Sequence, residues 1–485
     1  MSTATLRQFG SWFDLPEDFM GFAAVTVAVL CVMSAIYAPQ VLALSIAALL
    51  AIVFFESPFG LLTVMAFLIP FNFVVVVGQV PLAAELLKVA IWGPFLLFLI
   101  TRRKRFVVSR YNIFFIVIGV LLAYSCVTAT DFAYTFKESL RLISSIGLVY
   151  LAANLIDTKE KLFIILKAIG ISSLIVAVYG LYQYSIHDYG ALFWIINPRI
   201  STDLAPSRAD FWEWRNRLMS FLTSEMEAGD YIAYCIPLAA ALVVTTKRFG
   251  ERMLWRVTVV FLLIALLLTF TFGSWIGFGA ALLYFAWIFR KKLRLKIIAA
   301  GVVIFATSAI TFALTNQAYL SDKIEQVAWD YATRLAFWLV AWKEFLDHPI
   351  HGGGLGSFGP LVAEQHFSWL GAIWADTTSP HNIYLYILSQ FGIAGFLAIF
   401  GVFVYALWLM IRIGRGQFGQ ADGDLRGIAF ALGFAIIVLL ISGSADDSTL
   451  FGPHTSYLIW LLIGLTDVVA RFSKRNQNQE KSLAA

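Results

Sequence analysis

Asp330 to Leu346 reads as an amphipathic helix in which Arg334, Trp338 and Trp342 follow at i, i+4 and i+8, so they share one face. A guanidinium on such a face can hold two phosphate oxygens at once. His348-Pro349 ends that helix, and Gly352-Gly353-Gly354-Leu355-Gly356-Ser357-Phe358 makes a flexible turn. At Gly354 and Gly356 the absence of a side chain lets backbone N–H groups approach an anion. Ser379-Pro380-His381-Asn382 then precedes an apolar run. A neutral imidazole at a helix start can take a proton from a hydroxyl. Asn382 either holds a sugar hydroxyl or caps the helix. His351, His366 and His454 compete with His381 as the base, and so do Asp376 and Glu364. Upstream, Trp212-Glu213-Trp214-Arg215-Asn216-Arg217 interleaves aromatics with arginine, a pattern suited to sugar faces and phosphate. The arginine- and tryptophan-bearing stretches equally fit an interfacial anchor, with an aromatic belt and solvated arginines. Asp446-Asp447 is an adjacent pair without further ligands, and the six histidines contain no HExxH pair. No metal and no cofactor is expected.

The elements that must position these residues are membrane helices. Of the 485 residues, 60% are hydrophobic, 16% aromatic and only 13% charged. A soluble domain carries about 25% charged residues, so a soluble enzyme, a disordered chain and a nucleic-acid binder are excluded. Apolar runs recur from end to end. They predict an all-α polytopic membrane protein with about 14 transmembrane helices. The spans fall near 20–38, 41–56, 59–78, 81–100, 111–130, 139–156, 162–184, 228–246, 257–272, 275–289, 297–314, 383–411, 427–443 and 456–470. Gly273-Ser274-Trp275-Ile276-Gly277 reads as a turn between two short spans, and Gly392 and Gly395 predict a break early in the overlong span at 383–411. Cys31, Cys126 and Cys235 fall inside apolar runs and read as packing residues.

Most of the 35 basic residues fall in one set of short loops, which makes those loops and both termini cytoplasmic. The chain then divides into a cytoplasmic N-terminus (1–19), N-terminal helices (20–184), a first long periplasmic loop (185–227), central helices (228–314), a second long periplasmic loop (315–382), C-terminal helices (383–470) and a cytoplasmic tail (471–485). Residues 473–485 read as polar and disordered. Asp14, Glu17 and Asp18 precede the first apolar run, where a cleavable signal would be basic.

The arginines, tryptophans and histidines concentrate in the two outer loops. A transporter instead places its polar groups at mid-membrane, where this chain offers mainly Glu85, Lys88 and Arg141. There is no Walker A sequence. Chemistry on the outer side therefore needs a substrate that arrives activated, such as a lipid-linked sugar pyrophosphate. A lipid-linked glycan flippase and a non-enzymatic subunit of a polysaccharide export machine are the alternatives.

The motifs Arg334-Leu335-Ala336-Phe337-Trp338, His348-Pro349-Ile350-His351-Gly352-Gly353-Gly354-Leu355-Gly356-Ser357-Phe358, His381-Asn382-Ile383-Tyr384-Leu385 and Gly392-Ile393-Ala394-Gly395 resemble the O-antigen ligase/polymerase superfamily of bacterial membrane glycosyltransferases. The resemblance covers about 200–400; the earlier spans match only in hydropathy. It implies a GT-C-like fold and metal-independent inverting transfer from an undecaprenyl-pyrophosphate-linked glycan. The acceptor is lipid A-core for a ligase, or the next lipid-linked repeat unit for a Wzy-type polymerase. By resemblance Arg334 and Arg217 bind the pyrophosphate and His381 activates the acceptor hydroxyl. Arg217 fits better than Arg215 because Ser220-Phe221 follows it at the family's spacing. Arg215, Trp338, Gly354, Gly356 and Asn382 are expected to contact substrate. The family often has Ser-Arg in the turn between the two short spans, where this chain has Ser274-Trp275. The expected setting is the inner membrane with the site facing the periplasm, among other polysaccharide assembly proteins.

Overall fold

The computed structural model describes residues 58–71, 76–77, 80–81, 95–96, 105–129, 131–186, 217–222, 224–288, 317–364, 379–419, 421–446, 450 and 455–484. Its helices are α1 (Pro58–Leu68), α2 (Asn112–Thr128), α3 (Phe132–Leu155), α4 (Lys159–Ile186), α5 (Glu225–Thr245), α6 (Phe249–Leu268), α7 (Phe272–Ile288), α8 (Gln317–Asp347), α9 (Phe358–Glu364), α10 (Ile383–Gly414), α11 (Gly423–Ser442) and α12 (Thr455–Ala484). Extended pairing among the described residues is confined to Val76–Val77 against Val80–Pro81. Five of the described helices, α4, α5, α10, α11 and α12, are long and apolar enough to cross a membrane, and α2 and α7 are shorter apolar helices. The expected spans at 20–38, 41–56, 81–100 and 297–314 lie mostly or wholly outside the described residues.

α5 and the first part of α12 are buried on nearly every face and lie inside the bundle. α5 packs on α4, α6 and α11, α12 on α3, α7 on α11, and α10 on α2, α8 and α11. The start of α5 is written in its sequence. The Ser224 side chain accepts a hydrogen bond from the Glu227 N–H at 3.1 Å, and Glu225 and Glu227 lie in the first turn, where the helix dipole favours negative charge. At the other end of the bundle Asp422 caps α11 through the Leu425 N–H and pairs with Lys159. Its carboxyl is held below the ordinary aspartate range: burial pulls it upward, but the Lys159 and Leu425 hydrogen bonds outweigh that pull.

Three sequence expectations are corrected. Gly273–Gly277 is not a turn but lies inside α7. The reversal is at Thr269–Thr271, where Phe270 takes φ 51°. The Thr269 hydroxyl donates to the Leu266 carbonyl, and the Thr271 hydroxyl to the Glu225 carbonyl. The small residues at 273, 274 and 277 serve close helix packing instead. α8 begins at Gln317, well before the expected Asp330. Residues 473–484 continue α12, since they contain no Gly or Pro and are rich in strong helix formers.

The break in α10 is found at Gly392 (φ 61°, ψ −164°). The chain after α8 fills it from both sides. Gly353 and Gly354 N–H groups donate to the carbonyls of Ser389 and Gln390, and the N–H groups of Ile393 and Ala394 donate to the carbonyls of Pro349 and Ile350. Backbone groups that a break would leave unmet in an apolar setting are thereby satisfied.

Candidate functional site

The turn that ends α11, residues 443–445, gathers the predicted residues. Its three successive carbonyls each accept a bond from a different group. Gly443 accepts from the Ile383 N–H at 2.8 Å, Ser444 from Asn382 Nδ2 at 3.0 Å, and Ala445 from Arg334 Nη1. The arginine helix and the histidine helix are thus fixed against one short piece of backbone. Arg334 is half-buried, and the Ala445 carbonyl that anchors it is neutral, which leaves the positive charge in place for an anion.

His381 sits half-buried at φ 51°, in the left-handed region that few non-glycine residues occupy. Its neighbours are held on both sides. Trp338 Nε1 donates to the Pro380 carbonyl at 3.0 Å. Asn382 Oδ1 accepts the Tyr384 and Leu385 N–H groups, so the residue caps α10. Trp342, expected on the same face as Arg334 and Trp338, points outward, while Phe337, Val340 and Ala341 pack on Phe358 and Val362.

Arg217 comes from the other flank. The Leu218-Met219-Ser220 segment is pinned by three bonds: Leu218 N–H to the Leu268 carbonyl, Ser220 N–H to Gln183 Oε1, and Ser220 Oγ to the Val176 carbonyl. Arg217 Nη1 meets Glu225 Oε1 at 2.9 Å, with both side chains largely buried. One turn further along α5, Asp230 accepts a 2.6 Å bond from Ser274 of α7, and Tyr234 reaches Ser442 at 3.5 Å. Polar contacts therefore link the α5 end that carries the Arg217–Glu225 pair to α7 and to the end of α11. Arg215 lies outside the described residues.

The glycine turn is engaged within the protein. Gly354 and Gly356 have φ of 93° and 94°. The Gly354 N–H donates to Gln390 O and the Gly356 N–H to Gln390 Oε1, so both donors face α10. Beneath the turn, Glu344 is buried against Gly353. Burial, reinforced by Asp347 and Glu364 against the pull of His348 and Lys343, pushes its carboxyl above the ordinary glutamate value. Of the competing bases, His351 contacts the Gly352 carbonyl through Nδ1 at 2.6 Å and the Tyr124 hydroxyl through Nε2 at 3.4 Å. Glu364 is exposed at the end of α9, and His366, His454 and Asp376 lie outside the described residues. Among the described residues no group of three or more His, Cys, Asp or Glu side chains is arranged to hold a metal.

Sequence reasoning missed Glu225 and the 443–445 carbonyls. The first had a signal: Ser224 and Glu227 stand at capping-box spacing, which starts the helix before the expected residue 228. Backbone carbonyls have none.

Residues 257–400 match the protein-family model described as O-Antigen ligase. The matched stretch contains Arg334, Trp338, the glycine turn, His381 and Asn382, and it bears out the resemblance to the O-antigen ligase/polymerase superfamily. No curated protein matches the chain.

Proposed function

We propose that this chain is a glycosyltransferase of surface polysaccharide assembly. It moves a glycan from undecaprenyl pyrophosphate to a sugar hydroxyl at the outer face of the bacterial inner membrane. The observation that carries the reading is the common anchoring, on the 443–445 turn, of Arg334 and of Asn382 and Ile383, the two residues that follow His381. A phosphate-binding cation and an imidazole are held in fixed relation beside an apolar helix, where a lipid-linked donor presents its sugar. The full chain has about 14 spans in a GT-C-like arrangement, with both termini cytoplasmic and the long loops periplasmic.

The step is an inverting displacement at the anomeric carbon. His381 takes the proton from the acceptor hydroxyl as its oxygen bonds to that carbon. The bond to the pyrophosphate oxygen breaks, and the carrier leaves with the electron pair. Arg334, and Arg217 from the opposite flank, stabilise the charge that grows on the pyrophosphate. No step needs a metal: the donor is already activated and the arginines supply the positive charge.

The test is a purified protein given lipid-linked glycan and an acceptor. Release of undecaprenyl pyrophosphate with a new glycosidic bond supports the reading. Glycan accumulating across a vesicle membrane without bond formation sinks it. Deleting the protein and examining surface glycan then separates the two acceptors. Single repeats still attached to lipid A-core mean a polymerase; polymer stranded on the carrier means a ligase.

A further inference from the structure

We infer that Trp338 and Asn382 are positioning residues: they hold His381 in its left-handed conformation, aimed at the acceptor, and do not themselves bind substrate. The inference rests on the proposed role of His381 as base. Both side chains have their polar atoms directed into the protein. Trp338 has one donor, Nε1, and it meets the carbonyl of Pro380, immediately before His381. Asn382, immediately after it, has its oxygen on the Tyr384 and Leu385 N–H groups and its amide nitrogen on the Ser444 carbonyl. The next N–H, that of Ile383, meets Gly443 O. His381 is therefore a single residue strung between two tethered neighbours, with its own N–H on Ser379 Oγ at 3.3 Å. A left-handed histidine persists where its surroundings over-determine it, and here α8 holds one side and the end of α11 the other. Because Arg334 is tied to the next carbonyl, Ala445, the same turn sets the spacing between base and cation. Loosening either tether leaves the imidazole present but misaimed. A displacement of about 1 Å at a reacting group costs on the order of a hundredfold in rate.

The test uses Trp338→Phe, which keeps a ring but lacks the N–H, and Asn382→Ser, which keeps a capping oxygen but cannot reach Ser444. Each is made in the full-length protein, alone and together with His381→Ala. Alone, each lowers kcat about tenfold to a hundredfold and leaves donor KM within about twofold. In the His381→Ala background each has no further effect on the residual rate, because the group they aim is gone. Asn382→Asp, another good cap without the amide donor, gives the same loss as Asn382→Ser and guards against a folding artefact. Penalties that persist in full in the His381→Ala background overturn the inference and return both residues to substrate contact, as does a rise in KM with kcat unchanged. Full turnover by His381→Ala alone has a different signature: it removes the base assignment itself, and the positioning role falls with it.

Discussion

Replacing Gly392 by alanine tests the break in α10 on which the site geometry depends. Gly392 has φ 61°, and a side chain in the left-handed region costs about 1–2 kcal/mol. The new Cβ would also press on backbone atoms of Ile350 and His351, which cannot swing aside as a flexible side chain can. Moving that strand of chain away breaks the four backbone bonds that fill the gap: Gly353 and Gly354 to α10, and Ile393 and Ala394 to the turn. At about 0.5–1.5 kcal/mol each, the bonds and the strain together come to roughly 3–8 kcal/mol. That is a large share of the 5–15 kcal/mol typical of folded domains, or about that order. The control is Gly279→Ala in α7, where an added Cβ meets nothing within 4 Å and a helical alanine is favoured over glycine by about 1 kcal/mol. Both variants are purified in detergent, heated in steps, and scored by the fraction that stays monodisperse and by turnover. Gly392→Ala is expected to unfold at much lower temperature and to lose activity even when cold, because the turn carries Glu344 and the end of α8 with it. If it melts with the Gly279 variant, the reasoning fails: the four bonds would then contribute nothing that water or lipid does not replace.

Arg334→Ala abolishes transfer while the protein still inserts, and Arg334→Lys recovers little, since a point charge cannot reproduce a bidentate contact; wild-type turnover by the alanine variant in the purified assay defeats this assignment. Arg217→Ala behaves likewise, with Arg215→Ala milder, and the reverse ranking moves the site to Arg215. His381→Ala lowers turnover roughly 10²–10⁴-fold with donor binding retained, as direct binding measurements on the same preparation check. Glu344→Gln flattens the pH dependence of stability. The Glu344 carboxyl is raised above its ordinary value of 4.5 by burial, so its contribution is complete below that value and is lost as pH rises through the higher folded value. The glutamine variant keeps that contribution at neutral pH, and melting curves from pH 4 to 8 that run parallel for the two proteins refute it.

Apolar run length located α4, α5, α10 and α11 to within a few residues at each end, because lipid demands long unbroken stretches and tolerates little else; α12 starts where expected but runs on well past 470. The Gly392 break was legible too, from glycines near the start of a run too long for one crossing. The same reading failed at Gly273–Gly277. There small residues let α7 approach α11, and glycine marks close packing as readily as it marks a turn. At Asn382 the sequence left two roles open, and the structure shows the capping one. The glycine turn was legible as a turn, but not the destination of its N–H groups, because that depends on a break some forty residues further along the chain. The partners of Arg334 and Trp338 are carbonyls, and every residue has one; composition cannot say which will be used.

The family match stops at residue 400, yet the 443–445 turn and the Arg217–Glu225 pair lie beyond its two ends. The recognisable segment is therefore not a portable unit. Exchanging 257–400 for the corresponding stretch of another protein that matches the same family model would transplant the arginine, the glycine turn and the histidine without the backbone they hang from. The graft would inherit whatever spacing the host's α11 turn imposes. Substrate preference in such chimeras is then expected to follow the origin of the α11 end as much as that of the matched motifs. Comparisons that align only the matched stretch leave out the part of the chain to which Arg334 and the residues following His381 are tied.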